Sequence, residues 1–411
     1  MTGSTSASLE YVTDDFCVAR LASALGDARA RALFMRRAQN WQKLFDPETG
    51  FIRPRRANGV FLEGFDPDTL APHSEVPWDK SAQAGFEEGN TWQYTWMIPH
   101  NYRGLFAAVG GDAEVTRRLD KFFTKLVGWG QPFFNIGNEP SFVSPYAYTF
   151  AGSPWRTQET VRRIMFEIYK TTPGGLPGND DLGATSAWYV WGALGLYPAI
   201  PGVGGFVISS PLFPVATIRL GDGRRLRIEG VGAPGPYVQR LTLDGKPYTR
   251  AWLPLSAIRR GTTTLNFKLG DAPNASWASA PGDAPPSFTE GQAPVLSFIR
   301  GEDSVTLPPG GEATLILDAR MLSGDPLIVN WNATTTNDGL RLARLSGTVF
   351  VNLVKNSEGL LIPLKIVAAP TLAPGSYTVH IRLEAESPPA TATALPEVVA
   401  EIKVSQSVRR D

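Results

Sequence analysis

The chain has 411 residues, with 39 basic and 39 acidic side chains, 43% hydrophobic residues and one cysteine. At about 100–200 residues per domain this length suggests two or three domains, and a formal net charge of zero gives no field to gather nucleic acid or an anionic membrane surface. Cys17 is alone, which excludes an intrachain disulfide and a cysteine-based zinc site, and His73, His100 and His380 leave little room for a multi-histidine metal centre. The longest apolar runs, such as 187–200, are broken by Gly and Pro and fall short of the ~20 residues that span a bilayer. The opening MTGSTSASLEYVTDD lacks a basic stretch followed by an apolar one, so it carries no legible secretory signal, and the chain is expected to be a fragment.

In chain order, residues 14–45 read as a helical hairpin punctuated by Gly26-Asp27. Residues 46–88 form a long Pro/Gly/Asp-rich connection of the kind that usually carries function. Helices are predicted over about 91–110, 112–127, with Val115, Leu119, Phe122 and Leu126 on one face, 154–169, and 186–196, the last apolar nearly all round. After Pro198 the period switches to two, with short strands at 206–208, 216–220, 225–228, 237–243 and 264–269 and an Asp244-Gly245 hairpin signal. Residues 281–294, in a Pro/Ala/Ser/Gly-rich stretch that starts near 273, read as a linker. Strands follow through 295–404 at a spacing that suggests a sandwich. Eight of the eleven tryptophans precede residue 200, whereas 291–411 hold four aromatics, Phe298, Trp331, Phe350 and Tyr377. The triplets Asn274-Ala275-Ser276 and Asn332-Ala333-Thr334 match the glycosylation sequon, a pattern common by chance.

Three segments of the helical part are more polar than a structural role needs. They are 85–101 (GFEEGNTWQYTW, then Pro99-His100-Asn101), 137–155 (GNEPS, PY, AGSPW) and 173–189 (PGGLPGNDDLG, then SAWY). Each combines carboxylates or amides with Gly, which permits close backbone approach, and with Trp or Tyr. Sugars offer apolar faces to flat rings and hydroxyls to amides, and cleaving their acetal bonds takes two carboxyl groups. Each segment also has a plainer reading. Glu87 and Glu88 could be an acidic first helical turn, Asn138-Glu139-Pro140 a capped turn, Asn179-Asp180-Asp181 the N-cap of the next helix, and Trp92, Trp96, Trp188 and Trp191 core. The coincidence of three such segments favours a site.

At these positions the sequence resembles glycoside hydrolase family 92, the calcium-dependent exo-acting α-mannosidases. The matching stretches are Leu9-Glu10-Tyr11 with Asp14-Asp15, FDPETG at 45–50, EGNTWQYTW with PH at 88–100, GNEPSF at 137–142, AGSPW at 151–155 and LPGNDDLG with SAWYVW at 176–191, and likeness extends over about 8–280. The resemblance implies a multidomain α and β fold. Residues 1–200 would form part of an (α/α)6 toroid, 201–280 a β-rich domain of sandwich structure packed on it, and 295–411 an added immunoglobulin-like β-sandwich. It implies inverting hydrolysis of terminal α-mannosidic linkages, with Glu88 as general acid and Asp181 as base. Asn138, Glu139 and, more weakly, Gln93 would hold calcium, and Trp92, His100, Asn179 and Asp180 would contact substrate. The partners implied are a glycan with terminal α-mannose and a separate chain carrying the N-terminal β-sandwich that this sequence lacks. The location implied is periplasmic or secreted. The C-terminal module is expected to take no part in catalysis, so that deleting 291–411 leaves turnover largely intact at some cost in solubility or stability. A second reading stays open at this stage, a non-catalytic carbohydrate-binding or interaction fragment. A different toroidal glycosidase or phosphorylase would leave EGNTWQY and GNEPSF as coincidence.

Overall fold

The computed structural model describes residues 3–56, 60–68, 83–127, 133–232, 235–293, 295–301, 304–323, 327–351, 360–385 and 398–405. His73 and most of the second half of the long connection lie outside them. The described part begins with helices α1 (Ser4–Leu25) and α2 (Ala28–Arg37), then a short hairpin of β1 (Phe45–Asp46) and β2 (Phe51–Ile52). Helices α3 (Thr91–Tyr94), α4 (Tyr102–Val109), α5 (Asp112–Phe122), α6 (Ala147–Phe150), α7 (Pro154–Glu167) and α8 (Ala184–Leu194) follow. Strands then alternate with turns: β3 (Leu196–Tyr197), β4 (Gly205–Ile208), β5 (Val215–Arg219), β6 (Arg224–Gly232), β7 (Tyr237–Leu243), β8 (Lys246–Pro247), β9 (Trp252–Pro254) and β10 (Gly261–Gly270). The chain divides into two compact units, one of residues 1–38 and 67–290 and one of residues 39–66 and 291–411. Among the described residues no helix is long and apolar enough to cross a membrane.

In the first unit α1 buries Leu9, Val12, Phe16 and Ala19, the three- and four-residue spacing of one helix face. It stops at Gly26, whose φ of 77° suits a residue without Cβ, and Asp27 caps α2 by accepting the Ala30 N–H at 2.9 Å. The single helix predicted over 91–110 is broken. Pro99 cannot donate to a helical ladder and biases Ile98 out of the helical region (φ −132°, ψ 52°), so the chain makes a 3₁₀ turn at Pro99–Asn101. Asn101 then starts α4, its Oδ1 accepting the Gly104 N–H at 3.0 Å.

Strands β5-β6-β10-β7-β8 form a mixed sheet, β10 running parallel to β6 and antiparallel to β7, and β3-β4-β9 form a smaller one. Asp244 (φ 50°) and Gly245 (φ 79°) make the β7–β8 turn with the positive φ values that Asp-Gly supplies. The helices bond to this part of the chain directly: Gln158 on α7 accepts the N–H of Val238 in β7 at 3.0 Å, and Ala193 on α8 accepts the N–H of Leu212, in the β4–β5 connection, at 2.8 Å. The stretch read as a linker is bonded at successive points from 283 to 290. Asp283 O accepts the Ala251 N–H, Ser287 Oγ the Arg103 N–H, and Phe288 donates its N–H to His100 O, while Glu290 forms a two-pronged pair with Arg31. Its Pro-rich composition produces an extended backbone (Ala280 φ −70°, ψ 147°; Ala284 φ −64°, ψ 157°), which here lies along the helices as a strap.

The second unit holds β11 (Val295–Gly301), β12 (Ser304–Leu307), β13 (Glu312–Ser323), β14 (Leu327–Thr335), β15 (Leu340–Leu342), β16 (Ser346–Val351), β17 (Leu360–Ala368), β18 (Gly375–Ala385) and β19 (Val398–Val404). They pair as two sheets, β11-β13-β17-β15 and β12-β19-β18-β14-β16. Alternate residues of both sheets, among them Leu315, Leu364, Val329, Trp331, Ile381 and Ile402, meet in one apolar cluster that Val60 joins.

Candidate active site

The first polar segment is a loop closed on itself. Gln83 donates its N–H to Gly89 O and accepts the Phe86 N–H, and its side chain accepts the Thr91 N–H at 3.0 Å. Asn90, extended at φ −148°, caps α3 by accepting the Gln93 N–H. Between them Glu88 sits in the left-handed region (φ 51°), a conformation that costs a non-glycine residue about 1–2 kcal/mol and that the surroundings must hold. Those surroundings are specific: Asn138 donates from Nδ2 to Glu88 O at 2.5 Å, Tyr94 Oη donates to Glu87 O at 2.7 Å, and Ser6 Oγ accepts the Glu87 N–H. The Glu88 backbone is thereby pinned while its side chain is exposed.

The second and third segments meet through glycines. A Cβ at Gly137 would run into Pro177 O, and Gly178, at φ 108°, lies against Gly137. This contact brings Glu139, at the head of a 3₁₀ turn (Glu139–Ser141), beside Asp181, which heads a left-handed run of Asp181 (φ 46°), Leu182 (φ 59°) and Gly183 (φ 91°). Partial burial pushes the Glu139 carboxyl up from its ordinary value, and the Asp181 carboxylate, by charge and hydrogen bond, and the Glu88 carboxylate push it the same way. Glu10, on α1, is raised in the same manner by burial, by Asp14 and by Glu139. Glu10, Asp14, Glu88, Glu139 and Asp181 therefore form one carboxylate group. Glu10 and Asp14 belong to a family-like stretch but are not among the site residues expected from the sequence; their four-residue spacing on one helix face is the available signal.

Among the described residues no three His, Cys, Asp or Glu side chains are placed to hold a metal ion. The amides that accompany the carboxylates nevertheless suit a hard cation. Asn138 and Gln93 are buried with their nitrogens committed, Asn138 Nδ2 to Glu88 O and Gln93 Nε2 to Phe133 O at 3.0 Å, so each is left with an amide oxygen to offer. Gln93 Oε1 occupies space that a Cβ at position 89 would fill, which explains a glycine there.

Three expected substrate contacts are elsewhere. His100 is fully buried, stacked on Phe16 at 5.0 Å, and bound through Nε2 to Ala38 O at 2.9 Å; burial holds its pKa down at about 4. Trp92 is buried with Phe122 stacked on it and the Lys121 ammonium over its ring at 4.9 Å, and its Nε1 donates to Asp68 at 2.9 Å, so neither face is open to a sugar. Asp180 is turned to α8, its two oxygens accepting the Ser186 N–H (2.9 Å) and hydroxyl (3.2 Å). Asn179 is exposed on the same loop, and its carbonyl accepts the Thr185 hydroxyl at 3.0 Å.

Residues 1–271 match the Glycosyl hydrolase family 92 catalytic domain. A secreted glycosidase of Arthroderma benhamiae, itself uncharacterised, is 30% identical over 309 residues, which are 71% of this chain and 38% of that protein. A family 92 α-mannosidase of Bacteroides thetaiotaomicron, solved with mannoimidazole, superposes with a TM-score of 0.62 at 32% identity, covering 68% of this chain and 38% of that one. An inverting family 92 mannosidase of the same organism gives 0.60 at 30% identity, covering 69% and 39%. The chain thus spans less than half the length of these relatives. A match over two thirds of its residues, which contains every carboxylate of the cluster, makes the chain a member of glycosyl hydrolase family 92.

Proposed function

We propose that the chain contributes the acid, the base and a cation site to a family 92 enzyme that hydrolyses terminal α-mannosidic linkages with inversion. Glu88, carrying a proton, gives it to the glycosidic oxygen as the bond to the anomeric carbon breaks. Asp181 takes a proton from water as the water oxygen bonds to that carbon from the opposite face, and mannose and the free alcohol leave. The observation that carries this reading is that the Gly137–Gly178 contact and the Asn138 Nδ2–Glu88 O hydrogen bond bring together the three loops that bear Glu88, Glu139 and Asp181. An inverting pair would stand ~6.5–9.5 Å apart to admit the water. Asn138, Glu139 and Gln93 would hold calcium, which supplies positive charge and coordination for sugar hydroxyls. A cation there would favour the ionised form of the Glu139 carboxyl, which burial and the neighbouring carboxylates push up.

The fold reading is of a piece with this: a partial (α/α)6 toroid with sandwich structure against it, followed by an immunoglobulin-like module. The rest of the family fold completes the substrate pocket, and the enzyme works in the periplasm or outside the cell. The test is hydrolysis of an aryl α-mannoside by the chain, alone and with that further region. Proton NMR should find β-mannose first, and Glu88→Gln and Asp181→Asn should each cut kcat by about 10²–10⁴. Turnover unchanged by either variant, or α-mannose formed first, refutes the assignment. In calorimetry Glu139→Ala should lose calcium binding; equal binding by variant and parent removes the cation site.

A further inference from the structure

The first turn of α1 and the loop of Glu88 complete each other's hydrogen bonds. The leading N–H groups of a helix have no partner inside it, and α1 has no side-chain cap, since Gly3, at φ 63°, stands in that place. The loop supplies what is missing. Thr5 donates its N–H to Gly85 O at 3.0 Å, and Glu87 donates its N–H to Ser6 Oγ at 2.8 Å. A Cβ at Gly3 would stand 2.5 Å from Glu87 Oε2, so the Glu87 carboxyl lies against the N-terminal end of α1, where negative charge is favoured.

The carboxyl of Glu88 has no holder of its own. It is exposed, and among the described residues no hydrogen bond reaches it, so its place is set through its backbone. That backbone is strained (φ 51°) and stays so only while its neighbours are held. Asn138 holds Glu88 O on one side. On the other, both polar groups of Glu87 are taken, the N–H by Ser6 and the carbonyl by Tyr94 Oη at 2.7 Å. Ser6 is buried on a helix that packs Leu9, Val12, Phe16 and Ala19 behind it, and the buried Tyr94 ring lies 5.4 Å from that of Phe86. Both grips therefore come from packed elements, which hold a geometry better than loops do. Glu10 and Asp14 follow Ser6 at four-residue steps, so the side of α1 that grips the acid loop also carries two carboxylates of the cluster.

We propose that Ser6 and Tyr94 are positioning residues for proton donation, holding the Glu87 backbone so that the Glu88 carboxyl stays within reach of the glycosidic oxygen. The inference rests on Glu88 being the acid, as in the proposed function. Loss of either bond lets residue 88 relax toward ordinary backbone angles, and a donor displaced by about 1 Å can slow its reaction about 10²-fold. The loss should show only where a proton is needed. Methoxide leaves a sugar only when protonated, whereas dinitrophenolate leaves as the anion.

The test is hydrolysis of methyl and dinitrophenyl α-mannoside by the full chain, alone and with the rest of the family fold, together with hydrogen exchange over residues 83–94. Ser6→Ala and Tyr94→Phe each remove one hydroxyl. Each should lower kcat for the methyl mannoside about tenfold with KM little changed, and for the dinitrophenyl mannoside by no more than about twofold. Glu88→Gln should show the same preference more steeply. If Glu88→Gln discriminates between the two mannosides while the other variants slow both alike or neither, the proposal is overturned and the acid stands. If Glu88→Gln slows both alike, the acid assignment falls and the proposal with it. Exchange over 83–94 should be faster in Ser6→Ala and Tyr94→Phe at the parent's melting temperature. Protection equal to the parent's in both variants overturns the proposal, whether or not the chain turns substrate over.

Discussion

A neutral imidazole at the centre of the helical unit ties stability to pH. His100 is fully buried and titrates at about 4, against 6.5 for the open chain. As pH falls below 6.5 the unfolded chain takes up a proton that the folded one refuses, so stability is full above 6.5 and is lost between 6.5 and about 4. The loss amounts to roughly 3 kcal/mol. His100→Gln, which can still donate to Ala38 O, should lack that part of the slope in melting temperature against pH. Parallel curves for the two proteins would show that His100 does not contribute. The same residue explains what could be read in advance and what could not. Glu88, Glu139 and Asp181 stand out in the sequence because clustered carboxylates with flanking glycines are costly in a plain structural loop. His100 and Trp92 sit in equally suggestive surroundings, and only tertiary packing decides that Phe16 covers one and Phe122 the other.

Among elements, local chemistry was a good guide where a single residue dictates geometry and a poor one where partners lie far away. Gly26-Asp27 and Asp244-Gly245 do what their φ preferences demand, and Pro99 breaks its helix for the same kind of reason, although the apolar pattern runs across it. The strap at 281–290 was illegible because its composition is that of a loose linker, and its partners His100, Arg103 and Arg31 are distant in sequence. The third polar segment mixes both cases. Asp181 faces the cluster, while its neighbour Asp180 serves the N-terminal end of α8, where a carboxylate satisfies free N–H groups. Asp180→Ala should therefore cost about 1 kcal/mol in denaturant unfolding, with KM for an aryl mannoside little changed. A KM that rises several-fold at unaltered stability would return Asp180 to the substrate.

For the molecule as a whole, the composition break near residue 291 invites a cut there, and the packing of the second unit argues against it. Residues 39–66 belong to that unit, and Val60, 3% exposed, is part of the cluster formed by β13, β14, β17 and β18. No pattern in the sequence could signal this, because a single valine from a Pro/Gly-rich connection looks the same whether it meets solvent or a sheet. Removing 291–411 therefore uncovers Val60 and takes away the sheets around which the 39–66 segment is organised, a segment that stands between α2 and the loop of Glu88 in the chain. Burial of one valine accounts for about 1.5–3 kcal/mol, enough to matter in a domain whose total stability is about 5–15 kcal/mol. The truncated chain should bind a hydrophobic dye and melt earlier than the parent. Val60→Asp in the full chain should reproduce the loss by placing a charge in the same cluster. A truncated chain with the parent's melting temperature and no dye binding would show that the 39–66 segment holds its shape without the sheets.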